Sequence, residues 1–336
     1  MTRTPNTNVV FRGPQALREY LDPQHHPMLP MVELPEDMNR FCGDGVRIYI
    51  KMPPPLSMKQ FGALGMLKAA AARPDFKDKE EGWVPSSGNM GVVIGILGRI
   101  IYGLKRVYAV VPAEIATGKL WFLKVAGTKA ILDDALPGKH DSMSYAELMG
   151  SAAHAIYFAQ YADPSNTAGY HELFDQIWEQ MDGDLKGISF GCGTSGLGNC
   201  MAECIEQRGS GALTIAAYSS EEDQLPGMRP GSRLKKVPLF DASRFDYAFE
   251  IETYIGYRLS YELCKHGLML GPTSGAALEA LFKALSKLKK EGKLEAGNYI
   301  SIGHDTSLVV LDKYSTQLKK EDFTSEIFFR DVGVDI

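Results

Sequence analysis

Three short segments of this chain hold residue types that could do chemistry together. Pro55-Leu56-Ser57-Met58-Lys59 sets a primary amine beside a helix start, Ser86-Ser87-Gly88-Asn89 is a turn rich in hydroxyl and amide groups, and Gly191-Cys192-Gly193-Thr194-Ser195-Gly196 is a glycine-rich loop. The loop follows the apolar strand-like run Gly187-Ile188-Ser189-Phe190 and precedes a helix-like run ending near Gln207, so its backbone N–H groups crown a helix N-terminus. Such a loop binds a phosphate without any basic side chain. A lysine at the first turn of a helix, in a partly dry cleft, has its pKa lowered enough to react as a nucleophile and later to move a proton. Taken singly, a lysine is usually a solvated surface residue and a Ser/Gly/Asn segment only a turn. Their order along one chain gives them meaning together.

The elements that must position these groups alternate between strand-like and helix-like runs. Ser57 is placed to cap a helix running through Met66 and Leu67 to the alanines 69 to 72, stopped by Arg73-Pro74. A second helix pattern covers Met90 to Tyr102, followed by the strand Val107 to Val111, closed by Pro112. Leu213 to Tyr218 repeats the rhythm after the helix at 196 to 207. This alternation predicts an α/β fold with mainly parallel sheets. The stretch Ser219 to Lys236, rich in charge, Pro and Gly, reads as a mobile loop near the site entrance.

Composition bounds the reading without producing it. A chain of 336 residues, 45% hydrophobic, is long enough for two lobes with separate cores. With 41 acidic against 36 basic side chains there is no electrostatic case for nucleic acid, and Lys287, Lys289, Lys290 and Lys293 read as a solvated face. No window reaches the ~18 apolar residues of a membrane span, and the polar start lacks a signal-peptide core, so the expected location is the cytoplasm. The five cysteines, Cys42, Cys192, Cys200, Cys204 and Cys264, lack metal-site spacing and suit a reducing compartment. Cys200 and Cys204 lie one helical turn apart with no partner visible in the sequence, so they read as small packed hydrophobes, and no metal is expected.

The three segments, in this order, resemble the cysteine synthase and cystathionine β-synthase family of fold type II pyridoxal-phosphate enzymes. The likeness extends to Pro30-Met31-Val32-Glu33-Leu34, Arg47-Ile48-Tyr49-Ile50-Lys51, Gln160-Tyr161-Ala162-Asp163-Pro164-Ser165-Asn166, Gly271-Pro272-Thr273-Ser274-Gly275-Ala276-Ala277 and His304-Asp305-Thr306, covering roughly residues 28 to 316. It implies two three-layer α/β lobes of the tryptophan synthase beta-like kind, with pyridoxal 5'-phosphate in the cleft between them. Residues 46–154 would form the smaller mobile lobe, and 1–45 with 155–336 the larger cofactor-binding lobe. A homodimer is also implied.

By the same resemblance Lys59 is the Schiff-base lysine, Asn89 meets the ring 3'-oxygen, and Gly193, Thr194, Ser195 and Gly196 hold the phosphate. Ser274 would sit near the ring or phosphate, and Thr306 would place a hydroxyl against the pyridine nitrogen, unless a one-residue slip puts Asp305 there. Ser86, Ser87, Met90 and Gln160 would bind the substrate carboxylate. Gln60-Phe61 after Lys59, Met90 in place of a threonine and His304 in place of a proline depart from the family pattern. The implied reaction is β-replacement on an O-activated serine-like amino acid by a small nucleophile, through an aminoacrylate, in specialised amino-acid biosynthesis. A β-elimination lyase, an amino-acid racemase and a non-catalytic partner-binding homologue remain alternatives. Gly191-x-Gly193-x-x-Gly196 also spells a dinucleotide fingerprint with Glu221 and Glu222 downstream, but those acids follow by about thirty residues rather than about twenty, and a nicotinamide enzyme leaves Lys59 and Asn89 without a task.

Overall fold

Most strands of this protein carry apolar residues on both faces, the signature of sheets covered by helices on either side. The computed structural model describes residues 10–25, 27–86, 88–138 and 140–323. In chain order the strands are β1 (Met31–Glu33), β2 (Val46–Lys51), β3 (Glu81–Pro85), β4 (Arg106–Val111), β5 (Lys129–Leu132), β6 (Ala155–Tyr157), β7 (Gly187–Gly191), β8 (Leu213–Ser219), β9 (Tyr247–Ile251) and β10 (Gly297–Ile302). The helices are α1 (Ala16–Leu21), α2 (Lys59–Ala71), α3 (Asn89–Ile100), α4 (Thr117–Val125), α5 (Ser142–Gly150), α6 (Pro164–Ala168), α7 (His171–Gln180), α8 (Gly196–Arg208), α9 (Gly231–Leu234), α10 (Thr253–Lys265), α11 (Pro272–Lys290) and α12 (Leu311–Gln317).

Two sheets result. The larger has the order β1-β2-β10-β7-β8-β9, parallel except for the antiparallel β1–β2 pair, and the smaller is the parallel sheet β5-β4-β3-β6. The period-two alternation of strands is legible in the cores. Ile48, Ile50, Ile215, Ala217 and Tyr299 pack on one face of the large sheet, and Ile188, Phe190, Ala216, Ile300 and Ile302 on the other. In the small sheet Val84, Val107, Ala109 and Val111 face one core, Trp83 and Val110 the other. The sheets do not divide where the sequence suggested. Residues 46–51 pair with β10 in the large sheet, and 155–157 pair with β3 in the small one, because each strand joins the neighbour whose hydrogen-bonding edge it completes. Among the described residues no helix is long and apolar enough to cross a membrane.

The helix that begins at Lys59 is set by glycines. A Cβ on Gly65 would stand 2.1 Å from the Ser165 carbonyl oxygen, and one on Gly169 would stand 2.3 Å from the Phe61 carbonyl oxygen, so α2 and α6 cross backbone to backbone. Ser57 is buried and its hydroxyl has no partner, while its carbonyl accepts the Gln60 N–H at 3.0 Å; the expected side-chain cap is not made. Gln60 instead donates from Nε2 to the Leu21 carbonyl at 2.5 Å, and Phe61 packs in the core against Tyr170. Both departures from the family pattern after Lys59 therefore dock the helix. Gly65→Ala forces that crossing apart at a cost of about 1–3 kcal/mol, and thermal unfolding should show a melting temperature several degrees lower; an unchanged midpoint contradicts the crossing as described.

Candidate active site

Strands β7 and β10 run parallel, so the loops at their C-terminal ends open on the same side, as ligand sites of parallel sheets require. Lys59 at the start of α2, the turn at the start of α3, the 191–196 loop and residues 304–305 all line one cleft. A Cβ built on Gly193 would lie 3.8 Å from Lys59 Nζ and 2.4 Å from the Gly227 carbonyl oxygen. Only glycine fits there, and the amine points at the loop. Ser195 takes the left-handed conformation, φ 66°, as it leads into α8. Its buried hydroxyl has no protein partner, which leaves a donor for a ligand oxygen. Thr194 Oγ1 accepts from Asn166 Nδ2 at 3.2 Å and braces the loop from below.

His304 ties these pieces together. Its carbonyl accepts the Met58 N–H at 2.7 Å, its Nε2 accepts the Gly191 N–H at 2.9 Å, and its own N–H donates to Ser274 Oγ at 2.9 Å. Burial, with the Lys59 charge second, lowers the imidazole pKa to about 3, so the ring is neutral and Nε2 is free to accept. Desolvation likewise lowers the Lys59 pKa to about 8, opposed by Cys192 and Asp305. The thiol of Cys192, buried beside that amine, is pushed up to about 12.

On the facing lobe Ser86 Oγ accepts the N–H groups of Gly88 and Gly91, both at 3.0 Å, shaping the turn and leaving its own proton to donate. Gln160 lines the cleft with its amide bound to the Pro85 carbonyl, and the buried Met90 adds an apolar wall. Ser87 lies outside the described residues. Asn89 lines the cleft and donates from Nδ2 to Asp305 Oδ2 at 2.6 Å.

One expected contact is not made. Extended backbone sends successive side chains opposite ways, so with Asp305 in the cleft Thr306 points out of it; Thr306 Oγ1 accepts the Leu308 N–H at 3.2 Å and caps the next turn. Ser274 Oγ accepts the His304 N–H, and its neighbour Thr273 lines the cleft, donating to the Pro226 carbonyl at 2.7 Å. One residue escaped the sequence reading altogether. Lys119 on α4 is buried, with Nζ 4.0 Å from Asp305 Oδ2 and no hydrogen-bond partner. Burial lowers the Lys119 pKa and raises that of Asp305, each partly restored by the other. The 219–236 segment does reach the entrance, with Gln224, Met228, Arg229 and Arg233 on the cleft wall, Arg229 stacked 4.2 Å over Tyr161, and Leu225 and Met228 buried as anchors.

The close approach at Gly193 gives a direct check on the loop. Gly193→Ala must move the loop or the 227 carbonyl, an overpacking of about 1–3 kcal/mol, so a fluorescence titration with pyridoxal phosphate should show Kd raised about tenfold to a hundredfold. Wild-type affinity in the variant places the phosphate elsewhere.

Comparison with known proteins identifies the fold and the family. The chain is 26% identical over 268 residues to a cysteine synthase of Aquifex aeolicus, spanning 77% of this chain and 80% of that protein. It is 26% identical over 280 residues to the O-acetylserine dependent cystathionine beta-synthase of Bacillus subtilis, spanning 79% and 88%. Among solved structures, an O-ureido-L-serine synthase with O-ureido-L-serine bound superposes with TM-score 0.73 at 17% identity, covering 92% of this chain and 96% of that one. The cysteine synthase of Entamoeba histolytica gives TM-score 0.72 at 20% identity, covering 99% and 97%. The fold is therefore that of the fold type II enzymes. Residues 25–304 match the family model described as pyridoxal-phosphate dependent enzyme, and the chain belongs to that family.

Proposed function

We propose that this protein catalyses β-replacement on an O-activated, serine-like amino acid, with a small nucleophile taking the place of the leaving group. The observation that carries the proposal is the convergence of Lys59, the 191–196 loop and the Ser86 turn on one cleft, in a chain whose relatives include a cysteine synthase and an O-acetylserine dependent synthase. The residues fit a phosphorylated aldehyde: the Gly193 cradle admits no side chain, the Ser195 hydroxyl is unpartnered, and Lys59 has a lowered pKa.

In this reading Gly193, Thr194, Ser195 and Gly196 would hold the phosphate with the N-terminus of α8, and Lys59 would supply the amine that meets the aldehyde group. Asn89 orients the ring. Bound pyridoxal phosphate supplies an electron sink for negative charge at the substrate α-carbon. Lys59 then takes and returns the α-proton, because an amine with pKa about 8 is present in useful amounts both free and protonated near neutral pH. Ser86 and Gln160 would grip the substrate carboxylate, Met90 would shield the β-carbon from water, and Arg229 and Arg233 give the mouth a cationic lining suited to an anionic leaving group. Asp305 in the cleft, where a hydroxyl was expected, favours a second reading in which proton return at the α-carbon competes with departure of the leaving group, giving racemisation.

Purified protein loaded with pyridoxal phosphate, offered O-acetylserine or O-phosphoserine with sulfide, separates the readings. A β-substituted amino acid as main product supports replacement; keto acid and ammonia mean elimination; the D-enantiomer of the donor means racemisation. Lys59→Ala should lose the visible absorption band and about a thousandfold or more of activity. A protein that stays colourless with the cofactor sinks the enzyme reading.

The Lys59 pKa adds a pH signature. Only the free amine attacks an aldehyde, so loading of cofactor-free protein should speed up about tenfold per pH unit up to about 8 and then level off. A rate that keeps climbing toward ~10.4, as an ordinary lysine requires, contradicts the buried placement of Lys59.

A further inference from the structure

Helices α7 and α8 pack side by side, and their contact gathers three metal-binding groups that the cleft does not use. Cys200 and Cys204 stand one turn apart on α8 with their Sγ atoms 3.9 Å apart. His171, the first residue of α7, brings a ring nitrogen to them, so that the three donor atoms all lie within 4.8 Å of one another. The partner that the sequence did not reveal for this cysteine pair comes from a neighbouring helix. Both sulfurs are buried while His171 is exposed, so the cluster is closed from the protein side and open on the imidazole side.

The spacing already suits a cation. Two thiolates about 2.3 Å from a tetrahedral zinc stand roughly 3.8 Å apart, and an imidazole nitrogen about 2.0–2.1 Å from the same ion completes three of four positions. The sulfurs need hardly move, and the adjustment falls to the exposed His171 side chain. Thiolate with imidazole selects zinc or monovalent copper over magnesium and calcium. Arg208, one turn beyond Cys204 on α8, places positive charge on that side of the pair and is itself held by Asp175 at 2.6 Å.

We propose that His171, Cys200 and Cys204 form a binding site for a thiophilic divalent cation, zinc, that clamps α7 to α8 and leaves one coordination position to water. On binding, each thiol gives its proton to solvent, so the dication meets two thiolates and one neutral imidazole. The clamp acts on the helix whose first turn carries the 191–196 loop.

Reduced, cofactor-loaded protein dialysed against zinc chloride, passed over a desalting column and assayed for metal tests the site. One zinc retained per chain and a raised melting temperature are expected, with both lost in Cys204→Ser and retention weakened in His171→Ala. Cys42→Ser, which removes an exposed thiol elsewhere, should retain zinc fully. Failure of the wild type to retain zinc, or equal retention in Cys204→Ser, overturns the proposal. Neither result bears on the reaction in the cleft.

Discussion

His304, just beyond the end of β10, joins three stretches of chain that share no sequence neighbourhood: the start of the Lys59 helix, the 191–196 loop and the first turn of α11. A buried N–H left without a partner costs about 1–3 kcal/mol, so these three bonds act as constraints on position. The arrangement works only while the ring is neutral, since a protonated imidazole has no acceptor for the Gly191 N–H. Burial secures that state, holding the pKa at about 3. The distance between the amine and the 191–196 loop therefore rests on one tautomer of one side chain, with Nε2 accepting and the proton on Nδ1.

Around that fixed frame the cleft holds charges that water would otherwise solvate. Asp305 raises the pKa of both Lys59 and Lys119 and is lowered by both, Lys119 lowers that of Lys59, and burial works against all three charged forms. Desolvated ions are tolerated when paired or when a ligand completes them. Asp305 has a partner in Asn89 for one oxygen and none for the other, while Lys119 Nζ and Ser195 Oγ have none. Ser195 and Asp305, both on the cleft wall, therefore each keep a buried polar atom that a ligand could satisfy.

Much of this was legible in the residues, for identifiable reasons. Period-two apolar runs and glycine-rich turns are local signals, so β4, β7, β8 and the helices at 59, 89 and 196 fall within a few residues of where the sequence put them. The glycine-rich 191–196 loop was readable because its backbone, with the close approach at Gly193, admits only small residues. Lys119 was not, because a lysine in a helix carries no mark of burial; the packing of α4 against the turn at Ser307–Val310 creates it. Thr306 and Asp305 were separable only by strand direction, a one-residue register that composition cannot set. The two sheets exchanged β2 and β6 relative to the expected division because strand partnership is decided at long range.

That exchange shapes how the chain can be assembled. The small sheet draws all four strands from residues 81–157, so it can close as soon as that stretch is synthesised. In the large sheet β10, from residues 297–302, is inserted between β2 and β7, and until it arrives β2 has only β1 beside it and β7 lacks one neighbour. Pairings of such long separation close late and slowly. The cleft is complete only once this last strand brings His304 into place.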